Sequence, residues 1–384
     1  MNEYKKVRLG DVCEFVRNGA SIKQNPLCKN GIPITRIETI SNDKFNFDRL
    51  GYADITDEKY SDYYLRDSDV LLSHINSAKY LGRSVMYKKV NDTPIIHGMN
   101  LLCLRFIQER YYPAFFVYYS QSNPAKAYIG NNTKLAVNQA SITASAIKEM
   151  PIPLPPIETQ KQIAATLDKV TKIITENKKL LEKYDLLIKS RFIEMFGDPV
   201  TNPMGWDEKP LSSYCIVNPK KNELGNVSDD YEVSFVPMPL VSEKGDIDSS
   251  NIKRFGEVKK GFTYFYENDV LFAKITPCME NGKGCVAKNL KNKIGFGSTE
   301  FHVLRPIDGI STSEWLYRVT TFKAFRKDAE NNMTGSAGQR RTPKEFFDKY
   351  KIGLPPLELQ QQFAAFVHQI DKSKFEYDSE EVAA

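Results

Sequence analysis

Between residues 155 and 196 the apolar positions Ile163, Leu167, Val170, Ile174, Leu181, Tyr184, Ile188 and Met195 follow one another in steps of four and three, or of their sum, seven. This is a heptad register, and it predicts a long amphipathic helix with a seam for a partner helix. Asn177 is the one polar residue in the seam between Ile163 and Ile188, a kind of residue that fixes register at a cost in stability. Pro155 and Pro156 suit a helix entry, where a missing N–H costs nothing, and Glu158 faces the positive end of the dipole. Gly197, with Pro199 two residues on, is a stop signal. Such a helix would span ~60 Å at 1.5 Å per residue. The plainer alternative is one long helix laid on a globular core.

The helix opening occurs twice. Ile152–Val170 and Ile352–Ile370 are identical at nine of nineteen positions, at an offset of 200 residues. Four further positions exchange one apolar residue for another. Upstream, Tyr4, Leu9 and Cys13 are echoed by Trp206, Leu211 and Cys215, at an offset of 202. Asp69-Val70-Leu71 aligns with Asp269-Val270-Leu271, each a turn signal followed by a short buried strand. Leu104-Arg105 aligns with Leu304-Arg305 at the end of another strand. The β-branched run 31–40 also reads as a strand. Helices are predicted over 112–130, with Pro124 a candidate break, and over 313–331. Polar loops follow at 131–143 and 331–343. The order is a mixed α+β domain, a long helix, a second mixed α+β domain and a shorter helix, which suggests an internal pseudo-twofold. The second helix keeps its apolar register only to Ile370. Leu181, Tyr184 and Ile188 are therefore expected to be covered from outside this helix pair.

Composition narrows the function without deciding it. The 384 residues suggest two or three domains, 41% are apolar, and a net charge of +5 permits nucleic acid as a partner. No run of 18 apolar residues exists and the N-terminus lacks an apolar core segment, so a cytoplasmic location is expected. The six cysteines are scattered without a C-x-x-C, which argues against structural zinc. No P-loop, dinucleotide fingerprint, nucleophile elbow or H-E-x-x-H motif is present. The best catalytic alternative is a metal-dependent nuclease built on Asp248, Glu257 and Lys259, two carboxylates and a lysine. A second alternative is a coiled-coil scaffold that binds only protein.

Binding chemistry is better represented. Gln339, Arg340 and Arg341 sit in a loop of small residues; Gln suits adenine and Arg suits guanine at a major-groove edge. The equivalent loop of the first half carries Lys134, Asn138 and Gln139. Lys79 and Arg83, then Lys274 and Lys283, follow the matched strands and are candidates for further DNA contacts.

Two variable halves, each ending in Leu-Pro-Pro-x-Glu-x-Gln-x-Gln and a heptad helix, resemble the specificity subunits of type I restriction-modification systems. The run Ser190–Pro199, Ser-Arg-Phe-x-x-Met-Phe-Gly-Asp-Pro, is similar to that family too. The resemblance implies an α+β fold with target recognition domains at 1–154 and 197–354. Long antiparallel coiled-coil helices at 155–196 and 355–384 would separate them. It implies that each domain reads one part of a split, asymmetric site in double-stranded DNA, and that the chain is not itself an enzyme. It further implies two methyltransferase subunits docked on the helices, which bind S-adenosylmethionine and methylate adenine. Restriction subunits with motor and nuclease activity would use ATP and Mg. The chain itself would bind no cofactor and no metal.

Overall fold

A computed structural model describes residues 4–24, 31–55, 58–136, 139–336 and 338–383. The chain forms two compact units, residues 1–176 and 177–384. Each is built on a four-stranded antiparallel sheet of the same order. In the first the order is Cys13–Asn18, Leu101–Phe106, Val70–Ser73, Ser84–Met86. In the second it is Cys215–Val217, Phe301–Pro306, Val270–Ala273, Gly284–Val286. Val70–Ser73 and Val270–Ala273 are buried at every residue, as a short apolar run behind a turn signal predicts. Both sheets carry the same charge pair. Arg105 donates from Nε and Nη2 to Asp69 at 2.8 and 2.7 Å, and Arg305 does so to Asp269 at 2.7 and 2.7 Å. Asp69 and Asp269 also accept from the backbone N–H of Arg66 and Tyr266, so both buried carboxylates are satisfied.

The N-terminal echo has a structural cause. Lys6–Arg8 pairs antiparallel with Pro151–Pro153, and Glu208–Pro210 pairs with Lys351–Gly353. The first strand of each half therefore clamps the strand that leads into that half's long helix. Leu9 and Leu211, just beyond, are fully buried.

Three expectations change. The run 31–40 is a strand only over Ile32–Ile34, after which the chain turns through left-handed residues at Asn42 and Asp43. Both predicted helices break in two, the first at Pro124 as expected, into Pro113–Ser120 and Asn123–Asn131, and the second, unexpectedly, into Ser313–Thr321 and Lys323–Asn331. The second break has no proline. Thr320 and Thr321 turn their hydroxyls back to the carbonyls of Tyr317 and Arg318, and Phe322 is extended. The polar segment 131–143 contains a hairpin, Lys134–Ala136 with Gln139–Ser141.

The second unit adds a four-stranded sheet, ordered Ile252–Arg254, Glu232–Val236, Ile294–Gly297, Thr263–Tyr266, with one parallel pairing. The long helices run over Ile157–Phe196 and Leu357–Ala383. Gly197 ends the first at φ +77, where a Cβ would stand 2.7 Å from Pro203.

Within the second unit the helices pack antiparallel. The Phe363 ring lies 5.4 Å from Phe192 and 5.5 Å from Phe196, and Lys374 meets Asp185 at 2.7 Å. This corrects the expectation for the seam. Ile188 is fully buried in the core that holds Phe192, Phe363 and Val367, so cover for it comes from within the chain. Leu181 and Tyr184 are half-buried. The residues left exposed here are Leu186, Leu187 and Ile193. In the first unit, Ile163 and Leu167 are half-buried, whereas Val170, Ile173 and Ile174 are exposed.

Candidate nucleic-acid interface

Each four-stranded sheet delivers its central strand to a tip where two distant segments meet. In the first unit Ile75–Asn76 pairs with Gln139–Ser141, which pairs with Lys134–Ala136. The Ile142 N–H donates to the His74 carbonyl at 2.9 Å. In the second unit the Thr342 N–H donates to the Lys274 carbonyl at 2.9 Å, and the Thr276 N–H to the Arg340 carbonyl at 3.0 Å. Thr334 and Arg341 exchange backbone hydrogen bonds at 3.0 and 2.8 Å. The segments singled out in each half are thus stitched together by main chain at corresponding positions.

The side chains at the two tips differ. Lys134 and Gln139 are exposed, and Asn138 lies outside the described residues. Lys79 is exposed beside the Tyr80 ring. Arg83 is more enclosed: it pairs with Asp43 at 3.0 Å and lies over Tyr80 at 4.8 Å. In the second unit Gln339 is exposed, and Arg340 faces Glu280 and Glu330 at 3.6 and 3.7 Å. Arg341 grips Glu300, donating from Nε at 2.9 Å and from Nη2 at 2.8 Å. This pairing holds the Glu300 carboxyl below its ordinary range. Lys274 is half-buried, and loss of solvent lowers its pKa although Glu300 opposes the shift. Lys283 donates to the Met238 carbonyl at 3.4 Å.

Three supporting roles were not assigned by sequence reasoning. Glu300 has no motif around it. Arg326 is buried and donates to the carbonyls of Thr320, Met279, Lys283 and Gly282, with its guanidinium 4.2 Å from the Phe272 ring. Burial pushes its pKa down to about 10, so it stays charged at neutral pH and pins the turn that carries Glu280 and Lys283.

The third supporting role belongs to a duplicated glutamine. Gln160 is fully buried, accepts from the Tyr112 N–H at 2.8 Å, and donates to the carbonyls of Arg110 at 3.2 Å and Pro155 at 2.8 Å. Gln360 repeats the arrangement with Thr312 at 3.0 Å, Ile310 at 3.2 Å and Pro355 at 2.9 Å. The repeated Pro-Pro-x-Glu-x-Gln signal was visible, and its Gln is the bolt between helix entry and domain.

The three residues of the nuclease alternative are each engaged by other groups. Asp248 accepts from Ser250, Glu257 from the Arg254 N–H, and Lys259 pairs with Asp229 at 2.6 Å. Among the described residues no group of three or more His, Cys, Asp or Glu could hold a metal ion.

The profile of the type I restriction modification DNA specificity domain matches residues 1–183 and again 203–382. The chain belongs to this family. The two matches are the two halves of the repeat. The chain is 36% identical over 219 residues to the EcoEI specificity subunit of Escherichia coli, covering 57% of this chain and 35% of that protein. It is 30% identical over 383 residues to a putative MjaX specificity subunit of Methanocaldococcus jannaschii, covering 94% of this chain and 85% of that one. The matched part is about a third of the E. coli protein's length. The S subunit structure from M. genitalium aligns over 100% of this chain and 94% of that one, with a TM-score of 0.57 at 12% identity, and so shares the fold. The mixed helix-and-sheet reading of the sequence and the family resemblance both hold. No described helix of this specificity-domain protein is long and apolar enough to cross a membrane.

Proposed function

We propose that this chain is the non-catalytic DNA-reading subunit of a type I restriction-modification complex. The observation that carries the reading is the tip built twice, on matching main-chain hydrogen bonds, with different side chains presented. One tip offers Lys134 and Gln139, the other Gln339, Arg340 and Arg341. Two readers with different side chains recognise a split, asymmetric site in double-stranded DNA. The regions 1–154 and 197–354 act as the target recognition domains, and 155–196 and 355–384 as the spacer helices. Two methyltransferase subunits dock on the helices, for which the exposed Val170, Ile173 and Ile174, and Leu186, Leu187 and Ile193, offer apolar surface. S-adenosylmethionine is bound by those subunits, and ATP and Mg by the restriction subunits, all in the cytoplasm. Lys79, Lys134, Lys274 and Lys283 contribute phosphate contacts, which make binding salt-dependent.

Replacing residues 20–148 with the same region of a relative tests this. Methylome sequencing of cells carrying the chimaera with its methyltransferase should show one half-site changed and the other kept. Both half-sites changing, or neither, would refute the two-reader arrangement.

A further inference from the structure

The second tip holds an arginine whose hydrogen bonds can be counted. A guanidinium carries five N–H groups. On Arg341, Nε and one Nη2 proton go to the two oxygens of Glu300, and one Nη1 proton goes to the Gln339 carbonyl at 3.0 Å. Two N–H groups remain, one on each terminal nitrogen, and the side chain is 41% exposed. A planar pair of donors on adjacent nitrogens matches two acceptors side by side, the O6 and N7 of a guanine in the major groove. A phosphate is the competing partner for such a fork. Glu300 weighs against it, because its carboxylate offsets the charge on Arg341, though not that of the neighbouring Lys274, and leaves the directional donors of Arg341 in place. A guanidinium held along one edge also loses little further freedom when its other edge binds.

The first half lacks this device. At the matched offset of 200, Ser141 stands for Arg341 and Asn100 for Glu300. The difference sits at a position where the main chain of the two tips corresponds, Ser141 opposite Ile75 and Arg341 opposite Ile275.

We infer that Arg341 reads a guanine in the second half-site, and that Glu300 is the positioning residue that holds its guanidinium for that base. The inference rests on the proposed DNA-reading function and adds the base, the half-site and the supporting residue.

The test uses the chain assembled with its methyltransferase subunits, in competition binding and methylation on its own duplex site and every single-base-pair variant of it. The wild type should lose about tenfold or more in binding when one G·C pair of the second half-site is replaced. Arg341→Ala should abolish that preference and leave every first half-site preference intact, which also shows that the protein is folded. Arg341→Lys should not restore it, because an ammonium is a point donor and not a fork. Glu300→Gln should weaken the preference at the same base pair without lowering the salt slope, a pattern that general loss of structure would not give. Loss spread evenly over all sequences, with the salt slope reduced by about one, would mean a phosphate contact and overturn the inference. So would a second half-site without guanine, or a guanine preference that survives Arg341→Ala. Failure of the wild-type complex to prefer any split site would instead refute the DNA-reading function, and this inference with it.

Discussion

Replacing Gln360 by leucine should show how strongly the glutamine bolt holds the second unit. Leucine has a similar volume and no polar atoms. The substitution strips the Thr312 N–H of its side-chain acceptor and the carbonyls of Ile310 and Pro355 of a donor, at a site that is fully buried. An unsatisfied buried group costs about 1–3 kcal/mol. Taking the N–H, on the half-buried Thr312, near the middle of that range and each of the two carbonyls, which keep a second lone pair, near the bottom gives about 4 kcal/mol. Burying leucine in place of the amide returns about 1 kcal/mol. The net loss expected is therefore about 3 kcal/mol, whereas Gln361→Leu, on the exposed face, should stay within about 0.5 kcal/mol. The chain's two tryptophans, Trp206 and Trp315, both lie in the second unit, and Trp315 is buried three residues from Thr312. Urea unfolding followed by tryptophan fluorescence thus reports the unit under test. A shift below about 1 kcal/mol for Gln360→Leu would refute the reasoning, because the orphaned N–H alone should cost that much.

Arg326→Met keeps an apolar stem against Phe272 but takes a donor from four carbonyls, of which those of Met279 and Lys283 keep the N–H groups of Gly282 and Ala273, and should destabilise the second unit by about 2–4 kcal/mol. Faster amide exchange confined at first to residues 279–283 would be its signature, and unchanged exchange there would contradict the pinning role. Acid should weaken the first unit through two histidines. Burial pushes the pKa values of His74 and His97 down to about 4, below the unfolded value of about 6.5. Between those values the unfolded chain binds protons that the native chain does not, so stability present at neutral pH is lost as pH falls from about 6.5 towards 4. Unfolding midpoints recorded across that window should fall, and should fall less steeply in a His74→Gln, His97→Gln double variant.

Much of the architecture was legible because the chain repeats itself. Asp69-Val70-Leu71 and Leu104-Arg105 were recognisable as a matched pair of strands, yet their shared purpose, a buried aspartate gripped by arginine, joins residues 36 apart in each half. The long helix was readable from its heptads, Pro-Pro entry and Gly197. Its coverage was misjudged at Ile188, because the partners Phe363 and Val367 belong to a helix whose apolar register ends early, while its antiparallel course still reaches Asp185. The hairpin at 134–141 was hidden, since its strands are three residues each and one carries an exposed Leu135. The candidate base-reading residues were named from residue type. That Arg340 and Arg341 each face carboxylates could not be read from local sequence, because Glu280 and Glu300 come from distant turns.

The main-chain hydrogen bonds that stitch each tip have an evolutionary consequence. Hydrogen bonds between peptide groups do not depend on which side chains the paired residues carry. In the proposed DNA-reading role, a substitution in the paired segments of either tip that keeps their backbone geometry can therefore alter the surface offered to a base without disturbing the pairing that presents it. The buried aspartate–arginine grips and the glutamine bolts, which do depend on sequence, lie elsewhere in each half. New preferences can then arise by single steps, each half drifting independently of the other, with foldability left almost untouched.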